Sequence, residues 1–133
     1  MKDVIEFLKE NPVGGFATVS DNKPNVRPFQ FMLEEKGKLF FCTSNKKNVC
    51  KEIQNNPYVA FTSYAQNTKY VRINGKIKFI NETGIKEKVL NSNQIVKTIY
   101  KSGSNPDFEV FFFESGNIIF ADLLGNPRKE FNI

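Results

Sequence analysis

Apolar positions along the chain switch repeatedly between a period near 3.6 and a period of two, and the switches mark the elements. Residues 2–10 carry Val4, Ile5 and Leu8 on one helical face, with Lys2, Glu6 and Lys9 away from it. Asn11-Pro12 stops that helix. Residues 13–20 read as a strand and Asp21-Asn22-Lys23-Pro24 as a turn. A second strand is expected over 25–34, with Arg27, Phe29, Phe31 and Leu33 on one face. Glu35-Lys36-Gly37 then turns the chain into a third strand at 38–43, and the short connection predicts an antiparallel hairpin. A helix over 46–55 buries Val49, Ile53 and Cys50. Thr43, Ser44 and Asn45 are its N-cap candidates, and Asn55-Asn56-Pro57 ends it.

A fourth strand runs from Tyr58 to about Ala65, and a long fifth one over 69–80. In the fifth, Val71, Ile73, Gly75, Ile77 and Phe79 oppose Tyr70, Arg72, Asn74, Lys76 and Lys78. This is the alternation of a half-buried antiparallel strand, within which Gly75 reads as a bulge or a point of close backbone approach. Residues 82–101 are helical in pattern, with a break near Asn91-Ser92-Asn93, and 103–106 form a loop. Phe108–Glu114 and Asn117–Leu123 read as a hairpin through Ser115-Gly116, followed by a short strand at 128–132. The run Phe111-Phe112-Phe113 is apolar on both strand faces. One face belongs in a barrel interior, the other under a helix or a second subunit. No repeat or linker interrupts the 133 residues, which form one domain, 1–133. Strands interrupted by helices predict a mainly β, α+β fold, an antiparallel barrel rather than a doubly wound parallel sheet.

Composition narrows the chemistry. Fourteen phenylalanines supply the bulk to fill a small barrel. Nineteen Lys and Arg against fourteen Asp and Glu leave +5, which favours an anionic partner: a phosphate, a nucleic acid or an acidic surface. No segment approaches the ~20 apolar residues of a membrane helix. Cys42 and Cys50 match no zinc spacing, and two thiols without a leader-like start are expected of a cytoplasmic protein. Histidine is absent, which excludes Ser-His-Asp and Cys-His nucleophiles, His-ligated metals and imidazole acid–base catalysis. No paired carboxylates or metal cluster stand out. Redox chemistry, if present, would rest on a bound cofactor.

The most informative segment places Arg27 on one strand. The next strand leaves through Cys42-Thr43-Ser44, and a helix opens with Lys46 and Lys47. Lysines at a helix start oppose the macrodipole, at roughly 0.3–1 kcal/mol each. A bound phosphate reverses that sign, since it meets N–H groups, hydroxyls and ammonium groups together. The alternative is that the lysines are solvated surface charges and Arg27 pairs with Glu34 or Glu35.

From Phe16 to Tyr64 the chain resembles the pyridoxamine 5′-phosphate oxidase-like superfamily of FMN-binding split barrels. It is most similar to the short bacterial members grouped with nitroimidazole-resistance and general-stress proteins. The resemblance lies in Gly15-Phe16-Ala17-Thr18-Val19, then Pro24-x-Val26-Arg27-Pro28-Phe29, then Gly37 to Thr43. It continues through the lysine-led helix with Ile53, Asn56-Pro57-x-Val59 and, more weakly, Tyr70-Val71-Arg72-Ile73-x-Gly75. It implies FMN at the interface of a homodimer. Arg27, Thr43, Ser44, Lys46, Lys47, Asn48 and Val49 would lie about the phosphate. Pro28, Phe29, Gln30 and Cys42, with Thr43, would lie along the ribityl chain and ring, and the partner chain's 58–72 region would close the other side. The chain departs from the oxidase pattern in three ways. Asn48 and Val49 stand where a gapless match puts an Arg-Lys phosphate pair. Met32 stands where a substrate lysine is expected, and no histidine is available for the substrate segment. Pyridoxamine phosphate oxidation is therefore not expected; an FMN-dependent oxidoreductase acting on another small molecule is. A flavin-binding stress-response module without turnover, or a basic nucleic-acid-binding barrel, remains an alternative. The second is disfavoured because most aromatics sit at core-facing positions.

Overall fold

The computed structural model describes residues 1–133. Four helices, α1 (Lys2–Glu10), α2 (Asn48–Asn55), α3 (Thr83–Asn91) and α4 (Gln94–Tyr100), punctuate eight strands. These are β1 (Val13–Ser20), β2 (Lys23–Gln30), β3 (Leu33–Glu35), β4 (Lys38–Ser44), β5 (Tyr58–Tyr64), β6 (Lys69–Ile80), β7 (Phe108–Asp122) and β8 (Lys129–Asn132). Every pairing is antiparallel, in the order β2-β1-β5-β6-β7-β4-β3, with β8 added on β7.

The two ends of that order, β2 and β3, are consecutive in the chain and separated only by Phe31 and Met32. The Phe31 N–H donates to Pro12 O on one flank, and the Met32 N–H donates to Phe40 O on the other. One continuous run therefore leaves β1 and joins β4, closing the sheet into a barrel. The closure is incomplete. β3 pairs with β4 over three residues only, from Leu33↔Phe40 to Glu35↔Lys38. Beyond it, β2 pairs with β1 alone and the end of β4 with β7 alone. The result is a split barrel, and α2 starts where β4 ends and reaches across to β1 and β2. The expected single strand over 25–34 is thus two strands that change partner at residues 31–32, because one strand cannot serve both halves of an opened barrel.

Alternation assigns the faces. Phe16 on β1, Phe41 on β4, Phe61 on β5 and Phe111 on β7 point inward and are 0–1% exposed. Their rings make an edge-and-stack network, with Phe41–Phe61 centroids at 5.0 Å and Phe41–Phe111 at 5.8 Å. Val4, Phe7 and Leu8 of α1 and Val49 and Ile53 of α2 complete that core; Phe7 is a member the simple helical face omitted. A second cluster lies under α3 and α4, where Phe40, Phe108, Val110 and Phe112 meet Val89 and Leu90. The double-sided phenylalanine run is accounted for: Phe111 and Phe113 face the barrel, and Phe112 is covered by the helical layer.

Helices α3 and α4 break where expected, at residues 92–93. There the Asn93 side chain caps α4 by accepting from the Ile95 and Val96 N–H groups. The expected hairpin at Ser115-Gly116 is absent. β7 runs unbroken through it, pairing with β6 from Ile80↔Val110 to Lys69↔Asp122, with a register shift at Lys76/Ile77. Glycine supplies the conformation, with φ +150° at Gly116, but the residue pair serves a bulge rather than a turn.

Gly75 and Gly116 are paired beside that bulge. A Cβ on Gly75 would lie 2.1 Å from Ser115 O, and backbone cannot yield as a side-chain tip can. Gly75→Ala should therefore destabilise the fold by about 2–3 kcal/mol, measured by equilibrium denaturation; a loss under about 0.5 kcal/mol would contradict this packing.

Candidate functional site

Several residues of the expected site, Thr43 to Val49, lie where β4 leads into α2 beside the split. The turn between β4 and α2 is shaped by its own polar groups. The Ser44 Oγ accepts from the Lys46 N–H at 3.1 Å, and the Lys47 N–H donates to Ser44 O at 3.1 Å. Asn45 staples the turn to the strand entry on β7, through its N–H to Asp107 O at 2.9 Å and its Nδ2 to Pro106 O at 2.7 Å. The helix begins at Asn48 instead of 46, because this turn spends residues 44–47 on local hydrogen bonds. The N-cap is Lys47, and none of Thr43, Ser44 and Asn45 caps. With no acid in its first turn and no side-chain cap, α2 starts with N–H groups that no protein carboxylate caps; Glu109, on Asn45 Nδ2 at 3.1 Å, and Asp107 lie beside the turn.

The two lysines flank that start. Lys46 is 76% exposed at its side chain and reaches Asp107 Oδ1 only at 4.0 Å; Lys47 is also exposed. At the end of β4, Thr43 is 4% exposed, and its Oγ1 has no hydrogen-bond partner. A free helix start, two ammonium groups, the Ser44 and Thr43 hydroxyls and the Asn48 amide are a donor set suited to a phosphate.

Arg27 lies on β2 opposite Phe16, on the barrel-facing side. Its guanidinium is engaged, though not by Glu34 or Glu35. Nη2 donates to both carboxylate oxygens of Glu52, at 3.0 and 3.2 Å, and Nη1 to Thr18 Oγ1 at 2.8 Å. Glu34 accepts from the Gly37 N–H and Glu35 pairs with Lys88. Glu52 was not singled out in the sequence; its one signal is being an acid in a helix whose other partner-facing residues are apolar.

The remaining expected residues divide between faces. Phe29 faces inward and stacks on Phe16 at 4.5 Å, leaving its backbone for a ligand. Pro28 and Gln30 pair with Gly15 and Val13 on the outer side of the sheet. Cys42 packs against the second cluster beside Met32, Leu33 and Tyr100. Burial pushes its thiol up to about 12, with Lys47 drawing it slightly back. Cys50 is likewise raised by burial, with Glu109 adding to the effect. Neither thiol is a nucleophile at neutral pH.

The outer face of β1, β2, β5 and β6 carries small residues, Gly15, Ala17 and Ala60, between large exposed ones. Val26 is 74% exposed, Tyr58 63% and Val13 59%. Two shallow troughs of about 310 and 210 Å³ run over Ala17, Ala60 and Asn74.

Comparison with known proteins shows the family and the fold. The family model for pyridoxamine 5′-phosphate oxidase matches residues 1–121. General stress protein 26 of Bacillus subtilis is 30% identical over 93 residues, which span 67% of this chain and 66% of that protein, just under two thirds of its length. A NimC/NimA family protein from Clostridium acetobutylicum superposes with a TM-score of 0.89 at 28% identity, over 100% of this chain and 93% of that one. A pyridoxamine 5′-phosphate oxidase-related, FMN-binding protein from Nostoc punctiforme shares the fold, with a TM-score of 0.69 at 17% identity over 98% and 88%.

The raised thiol of half-buried Cys42 predicts a pH dependence. Below the ordinary thiol value near 8.5, Cys42 is protonated whether the chain is folded or unfolded. Between there and about 12 only the unfolded chain gives up the proton, so stability should fall as pH rises, by up to about 1.4 kcal/mol per unit. Denaturant midpoints at pH 8 to 10.5 should decline, and Cys42→Ala should flatten the decline; an unchanged slope would contradict the burial.

Proposed function

The chain belongs to the pyridoxamine 5′-phosphate oxidase family, and from that premise we propose that it is an FMN-binding flavoprotein, an oxidoreductase acting on a small molecule as a cytoplasmic homodimer. The observation that carries the reading is the start of α2. It is uncapped, free of acids and flanked by Lys46 and Lys47, an arrangement unfavourable for the helix alone and favourable once a dianion lies against it.

FMN fits the donor set. Its phosphate would lie against the first turn of α2, with Ser44, Lys46, Lys47, Asn48 and the Val49 amide about it and Thr43 at the strand end. Its ribityl chain and ring would follow the split, between the 28–30 backbone and Cys42. When bound, FMN supplies a ring that exchanges electrons with a small donor or acceptor. The protein's own residues anchor and orient. Lys46 and Lys47 neutralise the phosphate, Ser44 holds the turn that presents it, and the apolar walls limit water on one side. Histidine is absent and Cys42 holds its proton to about 12, so neither an imidazole nor that thiol serves as an acid–base group near neutrality. Met32, where a substrate lysine would be expected, packs in the second cluster, which favours a substrate other than pyridoxamine phosphate.

The homodimer reading is supported by the outer face, where exposed Val13, Val26 and Tyr58 surround a floor of Gly15, Ala17 and Ala60. Such a patch is apolar enough for a second copy. The basic-barrel alternative loses support from the phenylalanines, which line the two cores instead of a basic surface.

Protein reconstituted with FMN should be yellow after desalting. Lys47→Met should weaken FMN about tenfold, the order of one charge-assisted hydrogen bond, and leave riboflavin, which lacks the phosphate, unchanged. A colourless protein that instead binds oligonucleotides with steep salt dependence would reject the proposal. In sedimentation, wild type should run as a dimer and Val26→Glu as a monomer; a monomeric wild type would reject the homodimer.

A further inference from the structure

We propose that the Tyr100 phenol is a substrate-contacting group: it donates a hydrogen bond to a carbonyl oxygen of a flat, uncharged acceptor of the quinone class, held beside the flavin against Met32 and Cys42. The inference rests on the flavin reading above and adds to it the chemical class of the substrate and the side chain that orients it.

Packing brings Tyr100 to the exit of β4. It is the last residue of α4, and its ring lies on Phe108 with centroids 4.7 Å apart. Phe108 is the strand partner of Ser44. The backbone of Tyr100 is pinned, since its carbonyl accepts from the Ser102 N–H at 2.8 Å and from Asn105 Nδ2 at 2.9 Å. From that fixed point the side chain passes over Phe108 to β4, where its hydroxyl meets Ser44, with Cys42 and Asp107 close by.

The hydroxyl has a proton to give. Burial raises the phenol above its ordinary value, Cys42 and Asp107 add to the rise, and the Ser44 hydroxyl draws it back. It is therefore protonated at neutrality. Ser44 Oγ already accepts from the Lys46 N–H at 3.1 Å. The Ser44 proton is what it offers to Tyr100 Oη, and the phenol proton is left for a ligand. Tyr100 is only half-buried, so a molecule lying over Cys42 can reach it.

The surroundings select that molecule. Met32, Leu33, Cys42 and Tyr100 all pack against the second cluster, and all are partly buried. Their open sides make an apolar wall with a single donor, the pattern of a site that takes an uncharged molecule and orients it by one polar group. Asp107 beside the phenol disfavours an anionic substrate there. Cys42 joins the two sites, because the flavin ring follows the split along it. A quinone matches the wall and the electron exchange that a flavin supports. It gains two electrons and two protons and becomes a hydroquinone, while reduced flavin gives up the same and becomes oxidised flavin. Tyr100 orients the oxygen and keeps its own proton.

The test is anaerobic. Protein loaded with FMN is desalted, reduced with dithionite, desalted again and mixed with menadione, a quinone, or with ferricyanide, which has no carbonyl to orient. The return of flavin absorbance gives the affinity for menadione and the limiting rate. Tyr100→Phe keeps the ring on Phe108 and removes only the hydroxyl. It should weaken menadione about tenfold, the order of one lost hydrogen bond, and leave FMN affinity and the ferricyanide rate within about threefold. Equal menadione affinity in wild type and Tyr100→Phe overturns the inference and leaves the flavin reading standing. A parallel loss with both oxidants also overturns it, since that marks a structural role. Should Tyr100→Phe fail to fold, wild type decides: a sulfonated naphthoquinone, the same ring carrying a charge, should bind about tenfold more weakly than menadione, and equal binding overturns the substrate class. Reduced wild type that does not react with menadione overturns it as well. A chain that retains no FMN overturns the flavin reading and this inference together.

Discussion

A carboxylate on a helix, held by one arginine and two neutral side chains from a pair of strands, organises the open side of this barrel. Glu52 cannot sit 13% exposed without partners, because desolvating an unpaired carboxylate is costly. Arg27, Thr18 and Asn25 provide them. Each hydrogen bond to a charged group is worth about 1.5–3 kcal/mol at most, and some of that offsets the desolvation. The net stabilisation is modest; the larger effect is geometric. The sheet is split where β2 leaves β4, and α2 crosses the opening with its apolar side on the main core. The cluster ties the second turn of that helix to β1 and β2 beside the opening.

The electrostatics of the opening follow from that placement. The chain carries +5 overall, but the local arrangement matters more than the total. Arg27 is neutralised by Glu52, whereas Lys46 and Lys47 are left to solvent at the helix start, with only a 4.0 Å approach to Asp107. Positive charge is thus directed outward at the turn and cancelled behind it. The thiols contribute no charge at neutrality, since burial raises both. A basic corner whose neighbouring acids, Asp107 and Glu109, do not cap the helix start, next to a groove between two strand ends, suits a phosphate-bearing ligand better than a diffuse polyanion.

Much of this was legible from residue patterns. The strict alternation over 69–80 located β6 and the meaning of Gly75, and the period change after Asn45 located α2, which begins two residues later than expected, at Asn48. Local patterns failed where tertiary pairing decides. Ser115-Gly116 has the composition of a hairpin turn, yet β6 offers a continuous partner along all of β7, so the glycine bends a strand instead of reversing it. The strand over 25–34 is one run by alternation, and only the change of partners at Phe31-Met32 divides it. The N-cap candidates Thr43, Ser44 and Asn45 were sound by type, but their hydrogen-bonding capacity is used in the turn or left buried. In the site, the lysine-led helix start was readable because it breaks a local rule. The Arg27–Glu52 link was not, since the two residues lie 25 positions apart and no local pattern joins them.

The most direct measurement is a crystal structure of the protein bound to FMN, at a resolution that separates the guanidinium from the phosphate. The phosphate is expected to accept hydrogen bonds from the opening turn of α2 and from Lys47. A phosphate held away from that turn would contradict this reading, as would a flavin bound away from the split.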